Sequence, residues 1–347
     1  MKRVCFVDLS PYRGGAEISL EKLVNTLNGR FKIDFLVYDK KNWNLNENIN
    51  ITSLSFSKKT ILLKKNIVNI LLFLREVIKN LENVKIDSEI LISNTFKSHI
   101  FVFILKIFRK DFKWIIMERD MYENIFIKGL KRSIYVFSDG IIFNSKFLRK
   151  SYGIRKSEVL YNIIEKGKES KKDFRTFLYY GDPTYEKGYD RVFEVFEKIN
   201  HLFKDTKLII VKKKDGFFGK ELKEKNLSFE IHFKSYDEID SVLKESSFLL
   251  FFNRKTETFS RIVAESMSYG VIPIILKGNG MDDYVFDGYS GLVLESYEID
   301  KILDRFIEFK NKFNLEKISS NCKKIVEEKF SSEKIQNDFL NILGGKI

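Results

Sequence analysis

Short apolar runs recur along this chain, and between them apolar residues fall at helical spacing. In the first half, Val4–Asp8, Ile33–Val37, Glu89–Ser93, Lys113–Met117 and Asp139–Phe143 read as strands. Ile18, Leu20, Leu23, Val24 and Leu27 mark one face of a helix after the first. In the second half, Lys207–Val211, Phe229–Phe233, Phe248–Phe252 and Val271–Leu276 repeat the theme, with a helix ending near Asn200. Nearly continuous apolar strands belong to parallel sheets covered on both faces, and their alternation with helices predicts an α/β protein. A polar stretch over 165–174 reads as a linker. At 347 residues the chain fits two domains, 1–165 and 166–330, with an amphipathic helix over 331–347.

Chemistry concentrates where Phe248–Phe252 gives way to Glu257-Thr-Phe-Ser-Arg-Ile-Val-Ala-Glu265. Ser260 is placed to cap a helix from Arg261 to about Tyr269, which Gly270 ends. Glu257 then lies at the carboxyl end of a strand, where open α/β sheets bind ligands. The amides of Phe259, Ser260 and Arg261 offer an anion site at the helix start. Two carboxylates flanking such a site suit a ligand that carries both sugar hydroxyls and a diphosphate. A plainer alternative is that Glu265 pairs with Arg261 one turn away. Near the N-terminus, Gly14 and Gly15 let backbone approach a phosphate ahead of a helix. They do not form the Gly-x-Gly-x-x-Gly pattern of nicotinamide enzymes. Glu118, Arg119 and Asp120 follow a strand and are placed either to meet sugar hydroxyls or to form an ion-paired turn.

Composition narrows the choice. Two cysteines, both in predicted elements, fit a cytosolic protein, and three histidines without ligand spacing predict no metal site. The N-terminus runs directly into a strand, so no leader is expected, and no run is long enough to span a bilayer. The net charge of +13 is uneven: 29 Lys and Arg stand against 17 Asp and Glu through Glu165, and 32 against 31 beyond it. Nucleic acid, anionic lipid, a phosphorylated acceptor or plain solvation each account for such an excess. Lys58–Asn80 and Lys97–Trp114 are basic, apolar helix candidates suited either to packing on a sheet or to lying on a membrane. The chain lacks an RNP motif, a zinc knuckle or a helix-turn-helix signature, which argues against nucleic acid.

The Glu-x7-Glu spacing, the Gly270-Val-Ile-Pro273-Ile-Ile continuation and Asp287-Gly-Tyr-Ser-Gly291-Leu-Val-Leu together resemble the retaining glycosyltransferases of family 4. Gly14-Gly15-Ala-Glu17 is similar to the loop that opens many of them. The resemblance implies the GT-B fold: two Rossmann-like α/β domains facing each other across a cleft, with the C-terminal helix crossing back to the first. It makes 1–165 the acceptor domain and 166–330 the nucleotide-sugar donor domain. It assigns Lys187 and the amides near Phe259–Arg261 to the donor diphosphate, Glu257 to donor sugar hydroxyls and Glu265 to the ribose or adjacent sugar edge. Gly14 and Gly15 complete the phosphate lid. The family's usual arginine after Gly181 is replaced by Asp182, which turns away, pairs with Lys187 or is offset by Arg254 or Lys255. Front-face attack by an acceptor hydroxyl is implied, with no metal and no cofactor beyond the nucleotide-sugar substrate. The expected acceptor is a lipid-linked or cell-surface glycan, met in the cytoplasm at the inner face of an anionic membrane. A sugar-nucleotide epimerase of the same architecture is the rival reading, with a basic nucleic-acid-binding protein behind it.

Overall fold

The computed structural model describes residues 1–57, 67–81, 84, 86–121, 125–181, 184–212 and 231–346. Lys58, Lys59, Lys64, Lys65 and Asp182, on which part of the sequence reading rests, lie outside them, as does 213–230. The chain divides into two compact units, Met1–Ile163 with Ser332–Ile347, and Ile164–Ser331.

The first unit is built on a seven-stranded parallel sheet of order β3-β2-β1-β4-β5-β6-β7. Its strands are β1 Arg3–Asp8, β2 Lys32–Val37, β3 Asn50–Ser53, β4 Ile90–Ser93, β5 Lys113–Glu118, β6 Gly140–Phe143 and β7 Glu158–Val159. One face packs against α1 (Gly15–Thr26) and α11 (Ser332–Asn341), burying Leu20, Val24, Ile335 and Phe339 against Phe6 and Ile92. The other face carries α2 (Ile67–Leu81), α3 (Phe96–Phe108) and α4 (Ile125–Tyr135), with Phe73, Val77, Phe101, Ile127 and Ile134 inside. Helix α5 (Lys146–Tyr152) follows β6. Helix α11 therefore completes the layer that covers the first strand, and its Phe339 ring stacks on Phe6 at 6.3 Å.

The second unit has a six-stranded parallel sheet of order β10-β9-β8-β11-β12-β13. Its strands are β8 Thr176–Tyr180, β9 Lys207–Lys212, β10 Ile231–Ser235, β11 Phe248–Phe251, β12 Ile272–Leu276 and β13 Leu292–Leu294. The helices are α6 Tyr189–Leu202, α7 Ile239–Glu245, α8 Arg261–Ser268, α9 Ile299–Lys312 and α10 Leu315–Phe330. In each unit the strand order reverses beside the first strand, between β1 and β4 and between β8 and β11. Loops leaving adjacent strands on opposite sides of such a reversal open a crevice at the carboxyl edge. Gly14 follows β1, and Lys187 and Glu257 follow β8 and β11, so each lies in a loop at a reversal.

Candidate active site

In the second unit two loops meet at the reversal. A turn over Tyr185–Lys187 follows β8, and Gly188 then takes φ +66° to start α6. Gly188 packs so tightly that a Cβ there would stand 2.1 Å from the Phe252 carbonyl oxygen. The turn is thus pressed onto the end of β11, and the Arg254 amide donates to the Glu186 carbonyl at 2.8 Å. This close approach brings the Lys187 Nζ within 2.7 Å of Glu257 Oε1. Asn253 Nδ2 donates to the same oxygen at 2.7 Å, and Asn279 Oδ1 accepts the Glu257 amide at 3.0 Å. The Gly280 amide closes the far side on the Glu257 carbonyl at 2.8 Å; a Cβ there would lie 1.8 Å from the Thr258 oxygen. Glu257 is therefore fixed at backbone and side chain, while Lys187 retains 41% side-chain exposure.

The start of α8 departs from the sequence reading. Ser260 occupies the cap position, but its φ is +56° and its side chain makes no capping hydrogen bond. A left-handed φ swings the hydroxyl away from the first-turn amides, so it cannot cap as expected. Instead the Tyr284 hydroxyl bridges the carbonyls of Phe259 and, at 3.0 Å, Ser260. The Phe259 ring is buried against Tyr284 and Phe330, leaving its backbone at the helix start. A non-glycine residue held in this region costs on the order of 1–3 kcal/mol, which the buried aromatic cluster and the Tyr284 bridge offset. Arg261 Nη2 donates to Glu265 Oε1 at 2.5 Å, so the one-turn ion pair forms. Arg254 is directed elsewhere: its guanidinium forks onto Asp190 at 2.7 and 2.6 Å and lies 3.6 Å over the Tyr185 ring. Its charge holds the Asp190 carboxyl below the usual carboxylate range, chiefly through that hydrogen bond. Arg254 therefore braces the Tyr185–Lys187 turn.

In the first unit, the Gly14 amide donates to Glu17 Oε2 at 2.8 Å, closing the first turn of α1. Nearby Asp8 is fully buried at the end of β1, accepting from the Ser10 amide at 2.8 Å and Asn94 Nδ2 at 2.7 Å. Burial, then the Glu17 charge, push its carboxyl up to about 7. Arg119 is buried with its guanidinium on Asn94 Oδ1 at 2.7 Å and on Asn162 Oδ1. Glu118 is buried among Lys131 and the Tyr135 hydroxyl, and the amides of Arg119 and Asp120 donate to its Oε1 at 3.1 and 3.0 Å. Burial beside Glu118 drives the Tyr135 hydroxyl far above its ordinary value. Glu118 and Arg119 thus form an internally paired turn, and of the three residues Asp120 is the exposed one. Asp8, Asn94, Asn162, Asn253, Asn279, Asp190 and Tyr284 were not singled out for this network. Asparagines within two residues of a strand's end were the available signal for Asn94 and Asn253.

Among the described residues, no group of three or more His, Cys, Asp and Glu stands together as a metal-ligand set. A separate cavity of about 660 Å³ lies at the β13 edge, lined in part by Val285, Phe286, Val293 and Leu294. None of Lys187, Glu257 or Glu265 lines it.

Comparison with known proteins agrees with this layout. Residues 162–325 match the family model for Glycosyl transferases group 1. An uncharacterized glycosyltransferase of Methanocaldococcus jannaschii is 30% identical over 206 residues, which span 57% of this chain and 57% of that relative. Among solved structures, Anabaena HepE in complex with UDP and glucose aligns over 99% of this chain and 100% of its own, with a TM-score of 0.73 at 15% identity. Sucrose-phosphate synthase of Thermosynechococcus elongatus aligns over 98% and 97%, with a TM-score of 0.77 at 12% identity. None of these proteins is named as an epimerase. The two parallel-sheet units carry the GT-B fold, and residues 162–325 are similar to a Glycosyl transferases group 1 domain.

Proposed function

We propose that this protein is a retaining glycosyltransferase that moves a sugar from a nucleotide-sugar donor to a hydroxyl of a glycan acceptor. The observation that carries the reading is the Lys187–Glu257 pair, 2.7 Å apart beside the start of α8. Departure of a nucleoside diphosphate builds negative charge on the leaving phosphate, and fixed donors aimed at that charge lower the barrier. Lys187 supplies a mobile cation, and the first-turn amides of α8 supply oriented dipoles. When a diphosphate engages Lys187, the ammonium exchanges Glu257 for phosphate. Glu257, still held by Asn253, then accepts hydrogen bonds from the donor sugar. Glu265, oriented by Arg261, is assigned to the ribose or adjacent sugar edge. Gly14 and Gly15, at the start of α1, are assigned to phosphate contact. Arg254 serves the donor by bracing the loop that carries Lys187.

No side-chain nucleophile is required, because the acceptor hydroxyl attacks the face from which the diphosphate leaves. Basic groups and helix dipoles take the place of a divalent ion. The UDP and UDP-glucose complexes of HepE favour a uridine donor as the first to test. The acceptor is assigned to lipid-linked or cell-surface glycans, and Asp120 to acceptor or sugar contact. Incubation with UDP-, GDP- and ADP-sugars and a panel of lipid-linked oligosaccharides tests this reading. Transfer with the donor's anomeric configuration preserved, insensitive to EDTA, is expected. Inverted product, or a strict requirement for added divalent ion, would overturn the mechanism.

A further inference from the structure

Nine large apolar side chains are exposed on the single helical layer made by α2, α3 and α4: Leu71, Leu72, Ile78, Ile107, Phe108, Ile125, Leu130, Val136 and Phe137. The three helices lie side by side on one face of the first sheet. Four of these residues gather at the amino edge of that sheet, where α3 ends and the chain leaves α4. Phe108 is 67% exposed, Val136 81% and Phe137 53%. The two tips are tied together. Lys106 donates to Asp139 Oδ2 at 3.1 Å and to the Phe112 carbonyl, Asp139 accepts the Trp114 amide at 2.7 Å, and the Phe137 ring meets Phe103 at 5.1 Å. The two tips therefore form one continuous apolar wedge.

Its surroundings are basic. Over 67–81, 96–113 and 125–139 the sequence has ten Lys and Arg against three Asp and Glu, and of the ten only Lys131 is fully buried, on Glu118. Asp111 and Asp139 are paired with Arg109 and Lys106. Arg75, Lys79, Lys110 and Arg132 stand exposed around the apolar groups. Among the described residues no helix is long and apolar enough to cross a membrane. Basic side chains around protruding aromatic and aliphatic tips match an interface of anionic headgroups over hydrocarbon. A second copy of the chain fits poorly, since a self-facing contact would set this positive field against itself.

We infer that the α2–α4 layer docks the protein on an anionic bilayer, with Ile107, Phe108, Val136 and Phe137 entering the headgroup boundary. This inference goes beyond the donor chemistry and does not depend on it. The test is sedimentation of the full chain with phosphatidylcholine vesicles containing 0 or about 30% phosphatidylglycerol, a content chosen to give a strongly anionic surface. Binding is expected only with phosphatidylglycerol, and it should fall steeply as salt rises. Phe108→Ser with Val136→Ser, and separately Lys79→Glu with Lys110→Glu, should each weaken partitioning by about tenfold or more. All four side chains are exposed, so unchanged melting temperatures are expected. Absence of binding at low salt, or binding that both variants leave intact, overturns the inference. So does lipid-free dimerisation, or capture of an acidic protein, abolished by the same substitutions while vesicle binding is not. A UDP-sugar melting shift measured on the same samples keeps failure here distinct from failure of the enzymatic reading.

Discussion

Lys187 and Glu257 form an ion pair whose stability is small, because both side chains keep contact with solvent. Half-exposed pairs of this kind contribute about 0–1 kcal/mol to folding, so the pair is better explained by what it presents than by what it stabilises. Lys187→Ala and Glu257→Gln are expected to leave the denaturation midpoint nearly unchanged while lowering turnover by about 10²-fold or more. Initial rates on each folded variant check this. Asp8 behaves in the opposite way, because it is buried and carries its proton to about pH 7. Its ordinary value is 3.8, so between about pH 4 and 7 the folded state binds more proton than the unfolded one. Its contribution to stability is present at the acid end and lost as pH rises through that window, opposed by Glu17 and eased by the Arg119 charge. Urea titrations of wild type and Asp8→Asn at pH 4.5, 6 and 8 should show the stability difference, wild type minus variant, shrinking as pH rises. A difference independent of pH would contradict this assignment.

At the scale of elements, the junction between β11 and α8 combines a strained residue with two braces. Tyr284→Phe removes the hydroxyl that bridges the Phe259 and Ser260 carbonyls. A loss of about 1–2 kcal/mol is expected from chemical denaturation, together with weaker donor binding if the α8 amides lose their aim. Gly188→Ala should cost more than about 2 kcal/mol, since it adds both a clash and a left-handed φ. Sequence periodicity placed the central strands within a residue or two: Val4–Asp8 for Arg3–Asp8, Asp139–Phe143 for Gly140–Phe143, Val271–Leu276 for Ile272–Leu276. Those strands are buried on both faces, so their apolar runs are unbroken. β3 escaped notice because it is a short edge strand with little buried side chain. The Lys97–Trp114 helix ran six residues too far, since α3 ends at Phe108 and Trp114 already lies in β5. Ser260 misled for another reason: capping preference is local, whereas its φ is imposed by Tyr284 from 24 residues away.

For the whole molecule, the reversal of strand order beside the first strand of each unit explains why the loops carrying Gly14, Lys187 and Glu257 fall where they do. The sequence carried the Glu257 and Glu265 spacing and the Lys187 turn openly, because contiguous residues encode a strand-loop-helix junction. It concealed the partners Asn253, Asn279 and Asp190, whose roles depend on packing between separate loops. The excess of positive charge was legible as a number, but its coincidence with exposed apolar tips on α3 and α4 emerged only once those helices were placed side by side. The most direct test of the enzymatic reading is calorimetric titration of UDP-, GDP- and ADP-sugars into wild type and Lys187→Ala in the presence of EDTA. One of these donors should bind wild type without metal, and Lys187→Ala should weaken that affinity by about tenfold or more, as expected for loss of a charge-assisted contact to phosphate. Failure of every nucleotide-sugar to bind wild type, or equal affinity in Lys187→Ala, would contradict it.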